Sequence, residues 1–393
     1  ILYFVSLISM NLLHSLLPTK LVLVFGLLLQ SLFATASVDL ASPLPVDPSV
    51  KIGRLKNGLT YYIKKNDKPK QIVELRLLVK FGSIRESDQQ QGAAHFIEHL
   101  VFKNSKNFKN ETLRPKLEGI GLQFGRDLNA YTEHELTRYE MSLPSSKKEH
   151  VQIGLAALAD IAGHVEIRVD DIPAEEAIIL EEQRLRNNLE LRKTSATYDL
   201  TLRGTKYPSR SPIGVEAIRK NFTAPMLQQL YRQMYRPDQM ALIAVGDIDP
   251  LALEKGIQKL FSGFQNPPQS AEQLAQELPE FGETNLAIFT DPQQSTHRLE
   301  LTYQLQNLVP FQTIRELRQG MLRTLYWDLL DDRLSTYSPL FTRAAALNSN
   351  LLRTKKRRAI VFEYPKPVDA ESTQSAAKAA IRAVIGRLLQ VQQ

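Results

Sequence analysis

Two histidines and a glutamate occur within five consecutive residues, in the order His95, Glu98, His99. In a helix, residues four apart lie on one face about one turn apart, so both imidazoles would point the same way. Two neutral imidazoles in this arrangement can bind one zinc ion. Glu98 would reach the same side of the metal without ligating it, where a general base for a bound water belongs. The spacing therefore predicts a hydrolytic zinc site.

A catalytic zinc ion usually takes three protein ligands, and a second predicted helix supplies candidates for the third. Residues 171–192 are predicted to be helical, with an apolar stripe that includes Ile178 and Leu185. Glu182 falls on this stripe, and a carboxylate on a buried face is costly unless it is paired or bound to metal. Glu175, two turns earlier, projects from the same face.

The same residues allow a simpler interpretation. Glu181 and Glu182 would belong to a solvated, charged surface together with Arg184 and Arg186. Glu181 points away from the stripe and fits this description. For Glu182 the residues alone leave both interpretations open.

Composition excludes several other chemistries. The chain has no cysteine, which excludes disulfides, iron–sulfur clusters, thiol nucleophiles and thiolate zinc sites. Its 393 residues, 43% apolar, are typical of a globular protein of about two domains. A net charge of +7 is a modest excess that does not indicate nucleic acid. The densest basic cluster is interpreted as the solvated edge of a strand; it comprises Arg353, Lys355, Lys356, Arg357 and Arg358.

The elements that must position these residues follow from local patterns. Residues 59–63 and 73–79 are β-rich and separated by a turn, so they are predicted to pair. Ser87 and Gln90, in capping-box spacing, predict the start of the helix that carries His95. The remaining elements are predicted as strands at 122–132, 136–143 and 240–246, and as helices at 111–119, 148–163 and 250–264.

The chain begins with a nearly uncharged, apolar segment. Residues 1–36 have the pattern of a secretory signal peptide with cleavage after Ala36, and a membrane anchor is the alternative. Residues 37–51 are predicted as an extended lead-in. Either way we expect an exported protein, and a chain without cysteine suits a bacterial periplasm.

Beyond this lead-in we expect two domains. Residues 52–264 form the first, the proline- and glutamine-rich residues 265–283 form a linker, and residues 284–393 form a second, related domain. In the second domain, strands at 286–290 and 298–303 and a helix at 310–333 repeat the order that opens the first. A last helix is predicted at 375–392. Because the second domain is much the shorter, we expect the natural protein to continue.

The motif and the second helix together resemble a known family. His95 to His99, Glu175 and Glu182 are similar to the inverted zinc motif of the pitrilysin/insulinase metallopeptidases. The resemblance implies that His95, His99 and Glu182 bind one Zn²⁺ per chain, that Glu98 is the catalytic base and that Glu175 is a supporting carboxylate. If the register differs, Glu176 or Glu181 would compete as the third ligand.

A second segment carries the same resemblance. Residues 125–132 resemble the family's strand beside the metal, whose exposed edge pairs with the substrate backbone. Asn129, Ala130 and Tyr131 would then bind substrate, while His134 is interpreted as an incidental loop histidine.

The resemblance also implies a fold and a function. The fold would be α+β, with tandem related domains, each a mainly antiparallel sheet with helices on one face, forming one half of a clamshell. The second half would follow in cis or come from a partner subunit. The implied function is an exported zinc metalloendopeptidase acting on extended peptides or unfolded protein segments, with no role for nucleic acid. The alternative is a non-catalytic peptide-binding or scaffold subunit of the same fold.

Overall fold

The structure is a computed structural model. It describes residues 39–110, 112–268, 285, 287–307, 310–335, 342–352, 355–365 and 382. The predicted signal peptide lies outside the described residues, as do most of the predicted linker and nearly all of the helix predicted at 375–392. None of the described helices is long and apolar enough to cross a membrane.

The chain divides into two compact units, residues 1–45 with 310–324 and residues 46–309 with 325–393. In the first unit, Leu44 N–H donates to the Gln312 carbonyl at 2.9 Å, and Pro43 forms a β-bridge with Thr313. Every residue of the predicted zinc site lies in the second unit.

Six strands of the second unit form one sheet. They are β1 (Val50–Arg54), β2 (Thr60–Lys65), β3 (Val73–Val79), β4 (Leu128–Thr132), β5 (Thr137–Leu143) and β6 (Met240–Gly246). Their order across the sheet is β1-β2-β6-β3-β5-β4. Only β2 and β6 are parallel, and the other neighbouring pairs are antiparallel.

The predicted pairing of β2 with β3 is wrong. β6 lies between them, so that Leu242 is opposite Tyr61 on one side and opposite Leu77 on the other. β6 is apolar at nearly every position, which is typical of an interior strand rather than of an exposed edge strand. The residues between β2 and β3 predict a turn, but they cannot indicate that a strand more than 150 residues later in the chain lies between the two.

Eight described α-helices between residues 93 and 261 are numbered in chain order. They are α1 (Ala93–Leu100), α2 (Leu113–Glu118), α3 (Lys148–Gly163), α4 (Asp171–Arg186), α5 (Leu189–Thr201), α6 (Glu216–Arg219), α7 (Ala224–Met234) and α8 (Pro250–Phe261). Alternate residues of β3 are completely buried and contribute to one core with residues of these helices. These residues are Val73, Leu75, Leu77 and Val79. The period of two places one face of the sheet against the helices.

The helix with the histidines starts later than predicted. Ser87 and Gln90 do make the predicted contact, with Ser87 N–H donating to Gln90 Oε1 at 3.1 Å, but this contact closes a separate turn. α1 begins at Ala93, and the buried Glu86 carboxylate accepts from the N–H groups of Gly92 at 2.9 Å and Ala94 at 2.8 Å. The cap of α1 is therefore the side chain of Glu86, which precedes the turn. A capping motif that considers only residues three apart does not detect such a cap.

The single helix predicted at 171–192 is two helices. α4 ends at Arg186, and Asn188 caps α5 by accepting from Leu191 N–H at 3.0 Å. Asparagine favours this role because its side-chain oxygen replaces a missing backbone acceptor.

The chain after the predicted linker forms a second sheet. Its strands are antiparallel in the order β7-β9-β8, with bounds β7 (Thr296–Asn307), β8 (Arg343–Leu352) and β9 (Lys355–Pro365). Between β7 and β8 the chain forms α9 (Ile314–Ser335), whose Leu330 and Leu334 share a small core with residues of β8 and β9. The strand predicted at 286–290 is wrong, because described residues 287–290 form no strand and are exposed. With mainly antiparallel sheets accompanied by helices, the predicted α+β class is confirmed.

The described part of the basic cluster, residues 355–358, is not a solvated edge, and Arg353 lies outside the described residues. β9 is the central strand of its sheet, and Lys355 and Arg358 are only 5% and 8% exposed. Arg357 pairs with Glu300 of β7 at 2.9 Å. The pattern of charges suggested exposure, but neighbouring strands cover both sides.

Candidate active site

α1 presents His95, Glu98 and His99 to a common space. The opposite side of the helix, including Phe96, Ile97 and Leu100, is packed in the main core. This packing fixes the helix, so that the two imidazole rings lie edge to face with centroids 4.6 Å apart. The spacing therefore places the histidines as expected.

α4 brings two glutamates to the histidines. Glu182 Oε2 lies 3.5 Å from His95 Nε2 and 3.4 Å from His99 Nε2. Candidate ligand atoms of all three residues lie within 4.8 Å of one another.

These residues fit a zinc ion. Ligands of tetrahedral zinc, at bonds of 2.0–2.1 Å, are about 3.4 Å apart, which matches both distances to Glu182. Glu182 Oε2 is also buried and accepts no well-formed hydrogen bond from the part of the chain that the structure describes. A buried carboxylate oxygen without a donor is what a cation would satisfy.

Glu175 contacts His99 on the ring nitrogen that faces away from Glu182. Its Oε1 lies 2.7 Å from His99 Nδ1, and its Oε2 lies 3.3 Å from Lys103 Nζ. When Nδ1–H donates to Glu175, the lone pair of Nε2 points toward Glu182. Burial alone would raise the pKa of Glu175, but the bond from His99 and the charges of His99 and Lys103 lower it.

The two histidines differ in their electrostatics. Burial, and then the neighbouring charge of His99, lower the pKa of His95 to about 3. Burial also acts to lower the pKa of His99, but contacts with Glu175 and Glu182 outweigh it and raise that pKa to about 9. His95 therefore keeps a free lone pair at neutral pH.

Glu98 lies beside this group without joining it. Its Oε2 is 4.0 Å from His95 Nε2 and accepts a hydrogen bond of 2.8 Å from Thr132 Oγ1. Burial raises the pKa of this carboxyl, although the charge of His99 and the Thr132 bond act against it. A carboxyl with a raised pKa is suited to proton transfer near neutral pH. The Thr132 contact was not predicted, because only the fold brings β4 to α1.

The predicted substrate strand lies at the edge of the sheet. β4 pairs only with β5 in the six-stranded sheet, which leaves its outer edge free of a described strand. A cavity of about 910 Å³ joins this edge to the zinc-site residues. Its lining includes His95, Glu98, His99, Asn129, Ala130, Tyr131, Glu175 and Glu182.

The apolar stripe predicted to carry Glu182 is not buried. Ile178 and Leu185 are 49% and 67% exposed, and the buried residues of α4 are Glu175 and Ile179. The stripe does not face the core, and both Ile178 and Glu182 line the cavity. The apolar residues of α4 do recur at helical intervals. Because this side of the helix borders an open cavity, however, no other described element buries them.

The competing glutamates have other partners. Glu181 is exposed and pairs with Arg184 at 2.6 Å. Glu176 pairs with the buried Arg219 at 3.0 Å. His134, in the loop between β4 and β5, lies against the rings of Tyr198 and Tyr207 and is not part of the metal-ligand group.

Two models of one peptidase family match this chain. The family model described as insulinase (peptidase family M16) matches residues 61–208, and the model described as the peptidase M16 inactive domain matches residues 221–345. The chain belongs to the insulinase family of peptidases. The first match contains every residue of the predicted site, so the resemblance drawn from the motif is confirmed.

Relatives in the insulinase family include named zinc proteases. The chain is 30% identical over 315 residues to the probable zinc protease PqqL of Haemophilus influenzae, covering 79% of this chain and 34% of that protein. The crystal structure of the first half of the periplasmic protease PqqL from Escherichia coli matches with a TM-score of 0.77 at 26% identity, covering 86% of this chain and 72% of that one.

The crystal structure of pitrilysin matches with a TM-score of 0.63 at 15% identity, covering 90% of this chain and 37% of that one, which shows the fold alone. The chain spans about a third of the length of the curated relative from Haemophilus influenzae.

Proposed function

We propose that this chain is the zinc-binding, catalytic half of an exported metalloendopeptidase. The observation that carries the proposal is the meeting of His95, His99 and Glu182 within 4.8 Å, beside Glu98 and in one cavity with a free strand edge. Each of these parts has a role in peptide hydrolysis, as metal ligands, as a general base and as an edge that can pair with a peptide backbone.

The proposed roles follow from the contacts. When bound, zinc would polarise the scissile carbonyl and make a water molecule more acidic. Glu98 takes a proton from the attacking water on its carboxylate and returns it to the departing amine. Thr132 holds one oxygen of Glu98 and thereby leaves the other for this transfer. Glu175 keeps His99 in the tautomer whose Nε2 can bind the metal.

The proposed substrate is an extended peptide or an unfolded protein segment. Main-chain groups at the free edge of β4, from Asn129 to Tyr131, would pair with the substrate backbone as an added strand. Such pairing accepts many side chains but requires an extended conformation. It therefore favours flexible segments over folded domains.

The proposal for the whole protein extends beyond this chain. We propose that a second peptidase half, in cis or as a partner subunit, closes over the cavity, and that residues 265–283 link two related domains within this half. The periplasmic protease PqqL, whose first half shares this fold, supports a periplasmic location. The predicted signal peptide agrees with that location.

Zinc content and peptide cleavage test the proposal. We expect one zinc ion per chain and cleavage of an unstructured peptide that a chelator abolishes and added zinc restores. Glu98→Gln should retain the zinc and lose cleavage. A chain that binds no zinc, or a Glu98→Gln variant that cleaves as fast as the wild type, would contradict it. A zinc-free chain that still binds the peptide would instead support the non-catalytic alternative.

A further inference from the structure

The helix that brings Glu175 and Glu182 to the histidines has few apolar contacts to hold it. Its buried residues are Glu175 and Ile179 alone, while Ile178 and Leu185 are exposed. A helix in a globular protein is usually held in place by a buried apolar face. The rotation of α4 about its axis must therefore be set mainly by polar contacts.

Arg219 supplies such contacts from the end of α6. Its side chain is completely buried, and its guanidinium donates to both oxygens of Glu176, at 3.0 and 3.3 Å. It also donates to Gln183 Oε1 at 2.9 Å and to the Ile213 carbonyl at 2.7 Å. The planar guanidinium makes several bonds in fixed directions, which a lysine ammonium cannot reproduce.

The register of these contacts links them to the metal site. Glu176 and Gln183 directly follow Glu175 and Glu182 in the chain. Successive residues of a helix are about 100° apart around its axis. One face of α4 thus presents two glutamates to the histidines, while the adjacent face presents two polar side chains to Arg219. A rotation that moved one pair would also break the other.

Arg219 also lies against the start of the histidine helix. A methyl group added at Gly92, the residue before α1, would lie 3.0 Å from Arg219 Cδ. Gly214, next to the carbonyl that Arg219 binds, packs so closely on Gln91 and Gly92 that an added methyl would lie 2.4 Å from their atoms. The same arginine therefore bonds to α4 and lies beside the residue that precedes α1.

We propose that Arg219 is a positioning residue that sets the rotation of α4 against α1 and so aligns Glu182 and Glu175 with the histidines. The inference rests on the proposed zinc site. Arg219 contacts neither metal nor substrate in this scheme, and its bonds reach the site through Glu176, Gln183 and the turn before α6. A buried arginine left without these acceptors would be strongly unfavourable, so the contacts are maintained in the folded chain.

Zinc affinity of Arg219 variants tests the proposal. In the full chain, Arg219→Met should raise the zinc dissociation constant by about 10- to 100-fold, the range found when residues that orient metal ligands are lost. The affinity is measured by competition with a chromogenic chelator. The visible spectrum of the Co²⁺-loaded chain gives a second readout, because it changes with ligand geometry and not with stability.

Arg236→Met is the matched control. Arg236 is also buried and forms a two-bond ion pair, with Asp238 at 2.5 and 2.8 Å, but it precedes β6 and contacts neither α1 nor α4 in these bonds. We expect it to lower the unfolding temperature while leaving zinc affinity within about twofold of the wild type. A loss of affinity as large as that of Arg219→Met would overturn the proposal, because any buried ion pair would then have the same effect.

Arg219→Lys covers the case in which Arg219→Met does not fold. It keeps the positive charge for Glu176 but cannot bind Glu176, Gln183 and Ile213 at once, so we expect a folded chain with about 10-fold weaker zinc binding. Wild-type affinity and an unchanged Co²⁺ spectrum in this variant would overturn the proposal. If the wild-type chain itself binds no zinc, the proposed function fails, and that result is distinct from a variant that binds as well as the wild type.

Discussion

The side chains around the cavity are held by specific hydrogen bonds more than by packing. His99 is bonded to Glu175, which is paired with Lys103, and Glu98 is bonded to Thr132. In a site of low dielectric constant each such bond restricts where a polar group can point. Small changes to the bonding partners should therefore alter the chemistry while the fold persists.

Thr132 offers a test at this scale. Thr132→Val keeps the shape of the side chain but removes the donor to Glu98, so the carboxylate loses its fixed orientation. We expect kcat to fall by about 10- to 100-fold, since a hydrogen bond to a charged group contributes about 1.5–3 kcal/mol. KM for an unstructured peptide and zinc content should not change.

Thr132→Ser is the control, because it restores the hydroxyl. Steady-state kinetics and metal analysis of both variants check the prediction. A wild-type kcat in the valine variant, which lacks only the hydroxyl, would show that the hydrogen bond to Glu98 does not matter.

Among the elements, α1 depends on a cap that lies outside it. Glu86→Ala should leave the N–H groups of Gly92 and Ala94 buried without acceptors. Because each unsatisfied buried donor costs about 1–3 kcal/mol, we expect the free energy of unfolding to fall by about 2–4 kcal/mol. Urea denaturation followed by circular dichroism measures this change.

Ser87→Ala is the matched control for the cap. Ser87 is exposed and belongs to the motif that indicated the helix start, but it does not cap α1. We expect a change of less than about 0.5 kcal/mol, typical of a surface substitution. A larger effect at Ser87 than at Glu86 would restore the capping box as the true helix signal.

We expect His134, in the loop between β4 and β5, to make the stability of the fold depend on pH. Burial lowers the pKa of His134 to about 4, although the charge of Glu133 and the Tyr207 backbone act to raise it. The unfolded chain, with a histidine pKa near 6.5, binds the proton more readily than the folded one. The contribution of neutral His134 to stability is therefore complete above pH 6.5 and is lost as pH falls toward 4.

Between pH 7 and pH 5 we expect His134 to account for a loss of about 2 kcal/mol, at 1.36 kcal/mol per pKa unit. His134→Phe keeps an aromatic ring against Tyr198 and Tyr207 but cannot titrate. Its free energy of unfolding should therefore fall less over this range. Parallel pH profiles of the two proteins in urea denaturation would refute the assignment.

At the scale of the whole molecule, we expect bound zinc to raise the free energy of unfolding of this chain. A ligand that binds only the folded state stabilises it by about 2.7 kcal/mol at a free concentration 100 times its dissociation constant. Zinc should therefore raise the unfolding temperature of the wild type, and a chelator should reverse the shift.

Two adjacent glutamates provide the comparison. Glu182→Gln removes a candidate ligand and should abolish the shift, whereas Glu181→Gln alters an exposed residue paired with Arg184 and should retain it. Thermal unfolding with and without zinc measures both. A zinc shift that survives in Glu182→Gln but not in Glu181→Gln would exchange the two assignments.

The amino-acid sequence by itself determined the parts whose signals are local. His95, Glu98 and His99 lie on one face because helical geometry acts over four residues, and β3, β5 and α3 match their predicted positions closely. In these segments periodicity and burial agree, so residues close in the chain are sufficient. The family resemblance rested on the same short patterns.

Only the tertiary structure decided how these parts meet. Three features depend on contacts that local sequence patterns do not reveal. They are the insertion of β6 between β2 and β3, the capping of α1 by Glu86 and the bond from Thr132 to Glu98. Glu182 meets the histidines although its apolar stripe is exposed, and Arg219 contacts the helix that carries it. The physical reason is that local propensity sets the type of each element, whereas long-range burial and buried polar pairing set its neighbours and its rotation.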